Sequence, residues 1–265
     1  MAGKIRHDAE RRLHDRTAGS HNTGFIKCLA ILFMIVDHAG KLFFPQIPEM
    51  RLLGRIAFPL FAWGIVLGCG YTRSIWRYAL RVFVTGIVSQ PLFMLALKHP
   101  WPNFVWYDTS TWGLLNIFFT LTLGILAIGC IREKKFLSQI WGPCLAFLAS
   151  MIFQVDYGWK GVLLILVLYG ARKDAAGLAA AFLAFCLFWG QSSASVTSIF
   201  GLRIPLTGPF GNMTSSVIRQ QYFAILALPF ILWDPVKPFR MPKWFSYGIY
   251  PIHLAVLYLI GLIIG

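Results

Sequence analysis

Apolar runs recur from residue 25 almost to residue 265, most of them near the length that crosses a bilayer. About 20 apolar residues are needed for a helix to span a hydrocarbon core of roughly 30 Å. The chain is 57% hydrophobic and only 13% charged, which excludes an ordinary soluble domain. The fold class expected is all-α: a polytopic transmembrane bundle of about nine helices. The spans fall at roughly 25–44, 52–70, 77–97, 112–131, 138–154, 160–171, 175–190, 218–234 and 246–264. The sixth and seventh are short enough to be tilted or to form a hairpin.

Charge orients the bundle. Basic residues cluster in alternate connections, with Arg73 and Arg77 in one, REKK at 132–135, Arg172 and Lys173, then Lys237, Arg240 and Lys243. The positive-inside rule therefore puts the N-terminus in the cytoplasm. It also accounts for the excess of 24 Lys and Arg over 10 Asp and Glu without a nucleic-acid partner. Residues 1–24 read as a basic cytoplasmic tail beside anionic lipid, and residues 25–265 as one membrane domain. Residues 191–217 form a long polar connection suited to an external lid or a re-entrant turn. The five cysteines lie in apolar segments without metal-like spacing and read as packing residues, with neither a disulfide framework nor a metal site.

The informative residues are the polar ones inside the spans. Asp37 and His38 interrupt FIKCLAILFMIVDHAGKLFFP, and Arg55 opens RIAFPLFAW. A charge in hydrocarbon costs at least about 2.5–3.5 kcal/mol, so such groups are paired, water-facing or functional. At 1.5 Å per residue, His38 lies about 9 Å below the outer edge and Arg55 about 5 Å. Gln90, Asn116, Asp156 and Tyr157 fall in the same outer layer. His253 stands alone in the last span, either as a packing residue partnered by Tyr250 or as part of the site. A second, inner layer holds Lys27 and the i, i+4, i+8 series Arg73, Arg77 and Arg81. That strip suits phosphates arriving from the cytosol, and equally an anchor snorkelling to lipid headgroups.

Neighbouring residues on a helix point about 100° apart, so Asp37 and His38 face different partners. The arrangement suggests His38 as general base and an Asp37–Arg55 ion pair, with Asn116 or Gln90 donating to an oxyanion. Serine-hydrolase, zincin and P-loop motifs are absent from the sequence, and direct transfer fits better than a covalent enzyme intermediate. The same Asp, His and Arg would also serve a proton-coupled transporter, and the residues alone leave both readings open.

IKCLAILFMIVDHAG, GRIAFPLFAW, the arginines entering the third span, DYGWKGVLLIL and IYPIHLAVL together resemble the TraX family, over roughly residues 25–265. These are conjugative-plasmid membrane proteins that N-acetylate pilin, related to multipass membrane acyltransferases. The resemblance implies a bacterial inner-membrane acetyltransferase, with acetyl-CoA as donor and a small membrane-inserted pilin as acceptor. It places Asp37, His38, Arg55 and His253 on family motif positions. Gln90 and Asn116 rest on the depth argument instead.

Overall fold

The computed structural model describes residues 23–98, 103, 115–204, 214, 218–233 and 241–264. The tail at 1–22, Lys237 and Arg240, and most of 205–217 lie outside the described residues. Each apolar run becomes a helix, because only a helix satisfies a backbone in hydrocarbon within one segment. In chain order these are α1 (Thr23–Leu42), α2 (Pro48–Gly54), α3 (Ala57–Tyr71), α4 (Ile75–Leu97), α5 (Ile117–Arg132), α6 (Phe136–Ile152), α7 (Gly158–Ala171) and α8 (Ala175–Gly190). A two-stranded hairpin follows, β1 (Ser198–Ile199) and β2 (Leu202–Arg203). A 3₁₀ segment, Gln220–Ala227, runs into α9 (Leu228–Leu232), and α10 (Lys243–Ile264) is the last helix.

Counted as crossings, α2 with α3 and the 3₁₀ segment with α9 each make one broken helix. The described residues then match the nine expected spans, with ends moved by a few residues. Pro48–Tyr71, Ile75–Leu97 and Trp244–Ile264 are long and apolar enough to cross a membrane. The break after Gly54 is a pair of tight turns, where Arg55 N–H donates to Leu52 O and Ile56 N–H to Leu53 O, both at 3.1 Å. Arg55 thus sits in the break rather than within a continuous second helix.

The core forms around α3, which has 11 of its 15 residues buried. It packs against α1, α7 and the 3₁₀ segment, while α4 lies between α5 and α10. By contrast α6 buries only Ala146 and Ser150, and its outer face exposes Trp141, Leu145 and Leu148. In water such a face would be a liability, but against lipid tails it costs nothing. Side-chain ties show which helix ends meet. Lys41 Nζ donates to Leu97 O (3.1 Å), joining the ends of α1 and α4. Arg132 donates to Cys69 O (2.6 Å), joining α5 and α3 at the opposite end of the bundle. All five cysteines are free.

One spacing expectation is corrected. α4 begins at Ile75, capped by Ser74, whose Oγ accepts Arg77 N–H at 3.4 Å. Arg73 precedes the cap, so the helical i, i+4 relation holds for Arg77 and Arg81 but does not extend to Arg73.

Candidate active site

Asp37 and His38 lie near the C-terminal end of α1 and diverge as the helix geometry requires. Asp37 turns toward the α2–α3 break. Its Oδ1 accepts Arg55 Nη2 at 2.7 Å, and its Oδ2 accepts Arg51 Nη1 at 2.5 Å. Arg51 also donates to the Asp37 carbonyl (3.2 Å), and Arg55 Nε donates to Arg51 O (3.1 Å). The expected Asp37–Arg55 pair is therefore present, but as a clamp of two guanidinium groups on one carboxylate. Arg51 lies one turn before Arg55, and that i, i+4 spacing was the signal that could have revealed it. The close approach depends on Gly54: a Cβ built there would overlap the Asp37 carboxylate. Gly54→Ala is expected to lower thermal stability by roughly 1–3 kcal/mol through this overlap. An unchanged melting temperature would show that the clamp relaxes freely.

His38 turns the other way, toward α10. Its Nδ1 lies 2.8 Å from His253 Nε2, and the two rings meet edge to edge with their planes only 11° apart, as an in-plane N–H···N bond requires. His253 Nδ1 lies 3.1 Å from the Ile249 carbonyl oxygen. A carbonyl only accepts, so His253 carries its proton on Nδ1 and its Nε2 is an acceptor. His38 must then donate from Nδ1, which leaves its Nε2 with a free lone pair. The tautomer follows from this bond pattern. Tyr250 meets the His253 ring edge-on at 5.2 Å and Ile249 supplies the hydrogen-bond acceptor.

Asp37 and His38 line a cavity of about 20 Å³ together with Asp156, Tyr157, Phe58 and Tyr250. This is room for about one water. Asp156 lies beyond α6, which ends at Ile152, in the turn that starts α7. Its N–H donates to Leu115 O (2.8 Å), its carbonyl accepts the Thr120 hydroxyl, and its Oδ1 accepts Tyr157 N–H (3.1 Å). Tyr157 holds φ at 63°, an unusual conformation for an aromatic residue and one that clusters at functional sites.

Gln90 and Asn116 are also together, both fully buried, but they are not on the cavity wall. Asn116 Nδ2 donates to Gly86 O (2.8 Å) and to Gln90 Oε1 (2.9 Å), while its Oδ1 accepts Phe118 N–H at 3.0 Å. Asn116 thereby caps α5 and ties it to α4, and both its amide hydrogens are engaged away from any oxyanion position. Lys27 lies in the second turn of α1, and Arg73, Arg77 and Arg81 lie around the start of α4, whereas Asp37 and His38 lie near the other end of α1. Arg81 lies 6.0 Å from the Tyr78 ring centre and close enough to Tyr247 of α10 to interact with it electrostatically.

The chain is 24% identical over 245 residues to a probable fimbrial assembly protein FimC (serogroup H1) of Dichelobacter nodosus, covering 88% of this chain and 92% of the relative. It is 28% identical over 193 residues to Protein TraX of Escherichia coli, covering 67% of this chain and 69% of that protein. No solved structure matches. The family described as TraX protein matches residues 22–261, a range that contains every residue of the cavity and the clamp. The chain belongs to the TraX family.

Proposed function

We propose that this membrane protein moves an acetyl group from acetyl-CoA to the amino terminus of a pilin-like small membrane protein. The observation that carries this reading is the His253–His38 pair, whose hydrogen-bond pattern leaves His38 Nε2 unprotonated, with His38 on the wall of a cavity that Asp37 of the clamp also lines. His253, held by the Ile249 carbonyl, fixes the His38 tautomer, and His38 takes the proton from the attacking nitrogen. A new N–C bond forms as the C–S bond to CoA breaks. Of the two protons that an ammonium nitrogen gives up, one passes through His38 to the departing thiolate and the other goes to water. Two guanidinium groups on one carboxylate leave local positive charge to oppose the developing oxyanion.

The donor would enter from the cytosolic end, its phosphates near Arg73, Arg77, Arg81 and Lys27. Tyr247, which lies near Arg81, precedes His253 by six residues on α10, about 9 Å of rise. An extended CoA arm covers that distance. The cavity does not hold an acetyl thioester as it stands, so binding must part its walls. The match to a fimbrial assembly protein supports a pilin acceptor.

Mass spectrometry of small membrane proteins co-expressed with this chain tests the reaction. The expected gain is about 42 Da at an amino terminus, and no gain on any of them would remove the acetyl reading. Donor binding gives a second test. Acetyl-CoA affinity for the purified protein should fall as salt rises. Arg81→Ala should raise KM with kcat little changed, and by more than Arg73→Ala does. A wild-type protein that binds no CoA, yet takes up protons in proteoliposomes when a solute is added, would instead be a proton-coupled transporter.

A further inference from the structure

Acyl transfer needs a hydrogen-bond donor where negative charge develops on the carbonyl oxygen. Gln90 and Asn116 do not supply it, since neither lines the cavity. Among the described residues that do line it, two side chains carry a neutral hydroxyl, Tyr157 and Tyr250. The His38 Nδ1–H is already given to His253, and the carboxylates accept. The two tyrosines differ in what faces them. The Tyr250 ring packs against Phe118 and His253, and its hydroxyl lies in the field of Asp156. A hydroxyl beside a carboxylate directs its hydrogen bond there. The Tyr157 hydroxyl lies among Arg55, Asp156, Asp37 and Arg51, and of these charges Arg55 acts on it most strongly. A guanidinium behind a hydroxyl polarises it into a stronger donor.

Tyr157 is also held still. Its N–H donates to Asp156 Oδ1 and its carbonyl accepts Gly161 N–H, both at 3.1 Å, which fixes the backbone at φ 63°. Its ring lies on Phe58 with centroids 3.9 Å and planes 15° apart, and Trp189 meets it edge-on at 5.7 Å. Among the described residues these contacts leave the hydroxyl without a hydrogen bond of its own. A donor fixed in advance needs no reorganisation when charge appears.

We infer that Tyr157 is a catalytic residue, whose hydroxyl donates a hydrogen bond to the acetyl carbonyl oxygen as that oxygen becomes an oxyanion. The inference rests on the acetyl-transfer reading and adds a residue to it. As the amine nitrogen bonds to the carbonyl carbon, an electron pair of the C=O bond moves onto oxygen. Tyr157 stabilises that charge and keeps its own proton. When the tetrahedral intermediate collapses, the pair returns to the carbonyl, the C–S bond breaks with its electrons on sulfur, and Tyr157 is left unchanged. Arg55 acts through the hydroxyl and is a positioning residue for this step.

The test uses the purified full chain in detergent, acetyl-CoA, and a synthetic apolar peptide of about 20 residues with a free amino terminus. Acetylated peptide is read by mass spectrometry. Tyr157→Phe keeps the ring and its stack on Phe58. It should lower kcat by roughly 10²–10³-fold, the usual cost of one oxyanion donor. KM for acetyl-CoA should stay within about twofold and the melting temperature should not move, because the lost bond belongs to the transition state. A ring that only packs would give the opposite split, with stability lost and kcat kept. Tyr250→Phe should cost less than about tenfold in kcat. A kcat within about twofold of wild type in Tyr157→Phe, or a larger loss in Tyr250→Phe, overturns the inference. So does an acetyl group found on Tyr157 itself, which would make the hydroxyl a nucleophile. If Tyr157→Phe does not fold, 3,5-difluorotyrosine is placed at position 157. Its hydroxyl ionises at lower pH than that of tyrosine, and once ionised it cannot donate. The alkaline loss of activity should then begin at lower pH than in the wild type, and an unmoved alkaline limb overturns the inference. No product from the wild type sinks the acetyl-transfer reading and this inference with it. Product from the wild type and equally from Tyr157→Phe removes Tyr157 alone.

Discussion

Replacing His38 by alanine is expected to lower acetyl transfer by roughly 10²–10⁴-fold, the usual contribution of a positioned general base. The protein should still insert and purify, because the ring is half-buried and its removal leaves His253 bonded to Ile249. The same change in His253 should have a smaller effect. Without His253, the His38 Nδ1–H has no acceptor and the imidazole can adopt the other tautomer, so some turnover persists with an altered pH profile. The order of the two losses is the measurement that matters. If His253→Ala is the more severe, or if His38→Ala keeps its activity per molecule while its yield falls, then His38 is a packing residue and the base lies elsewhere.

The clamp carries the second large effect. Asp37 side-chain exposure is 12%, and those of Arg55 and Arg51 are 14% and 30%. Removing the carboxylate strands two cations in a poorly solvated break between helices. Stranding one partner of a buried pair costs roughly 3–5 kcal/mol. Asp37→Asn should therefore unfold at a clearly lower temperature in detergent and lose activity. Arg55→Ala should cost less, since Arg51 keeps the carboxylate paired. The triple variant Asp37→Asn/Arg51→Gln/Arg55→Gln should regain part of the stability lost in Asp37→Asn, but not the activity. A melting temperature for Asp37→Asn equal to that of the wild type would mean that water already screens the group and that the clamp stabilises nothing.

Why some of this was legible and some was not follows from the physics of each group. Apolar length dictates helices, so the spans could be read directly, apart from their ends. Asp37 and Arg55 announce a partnership because neither charge is tolerable alone in hydrocarbon. Depth grouped Gln90 with Asn116 correctly and said nothing about what they do, since a layer of polar groups serves a helix cap as well as a reaction. The meeting of His38 with His253 was not readable, because nothing in a single chain states which helices become neighbours. Arg73 misled for a local reason: Ser74 is a favourable N-cap, and a cap ends the helical register that the spacing assumed. Arg51 was overlooked because it sits outside the apolar run, where a cation needs no explanation.

The His38–His253 contact joins residues 215 positions apart, on α1 and α10. A membrane chain is threaded into the bilayer in order, so His38 is inserted almost at the outset and waits for a partner that arrives in the final segment. Until α10 docks against α1, the imidazole tautomer is unset and the cavity lacks its Tyr250 wall. Catalytic competence is thus a property of the finished molecule. On the acetyl-transfer reading, a nascent or C-terminally clipped chain could hold the clamp and the arginines and still be inert.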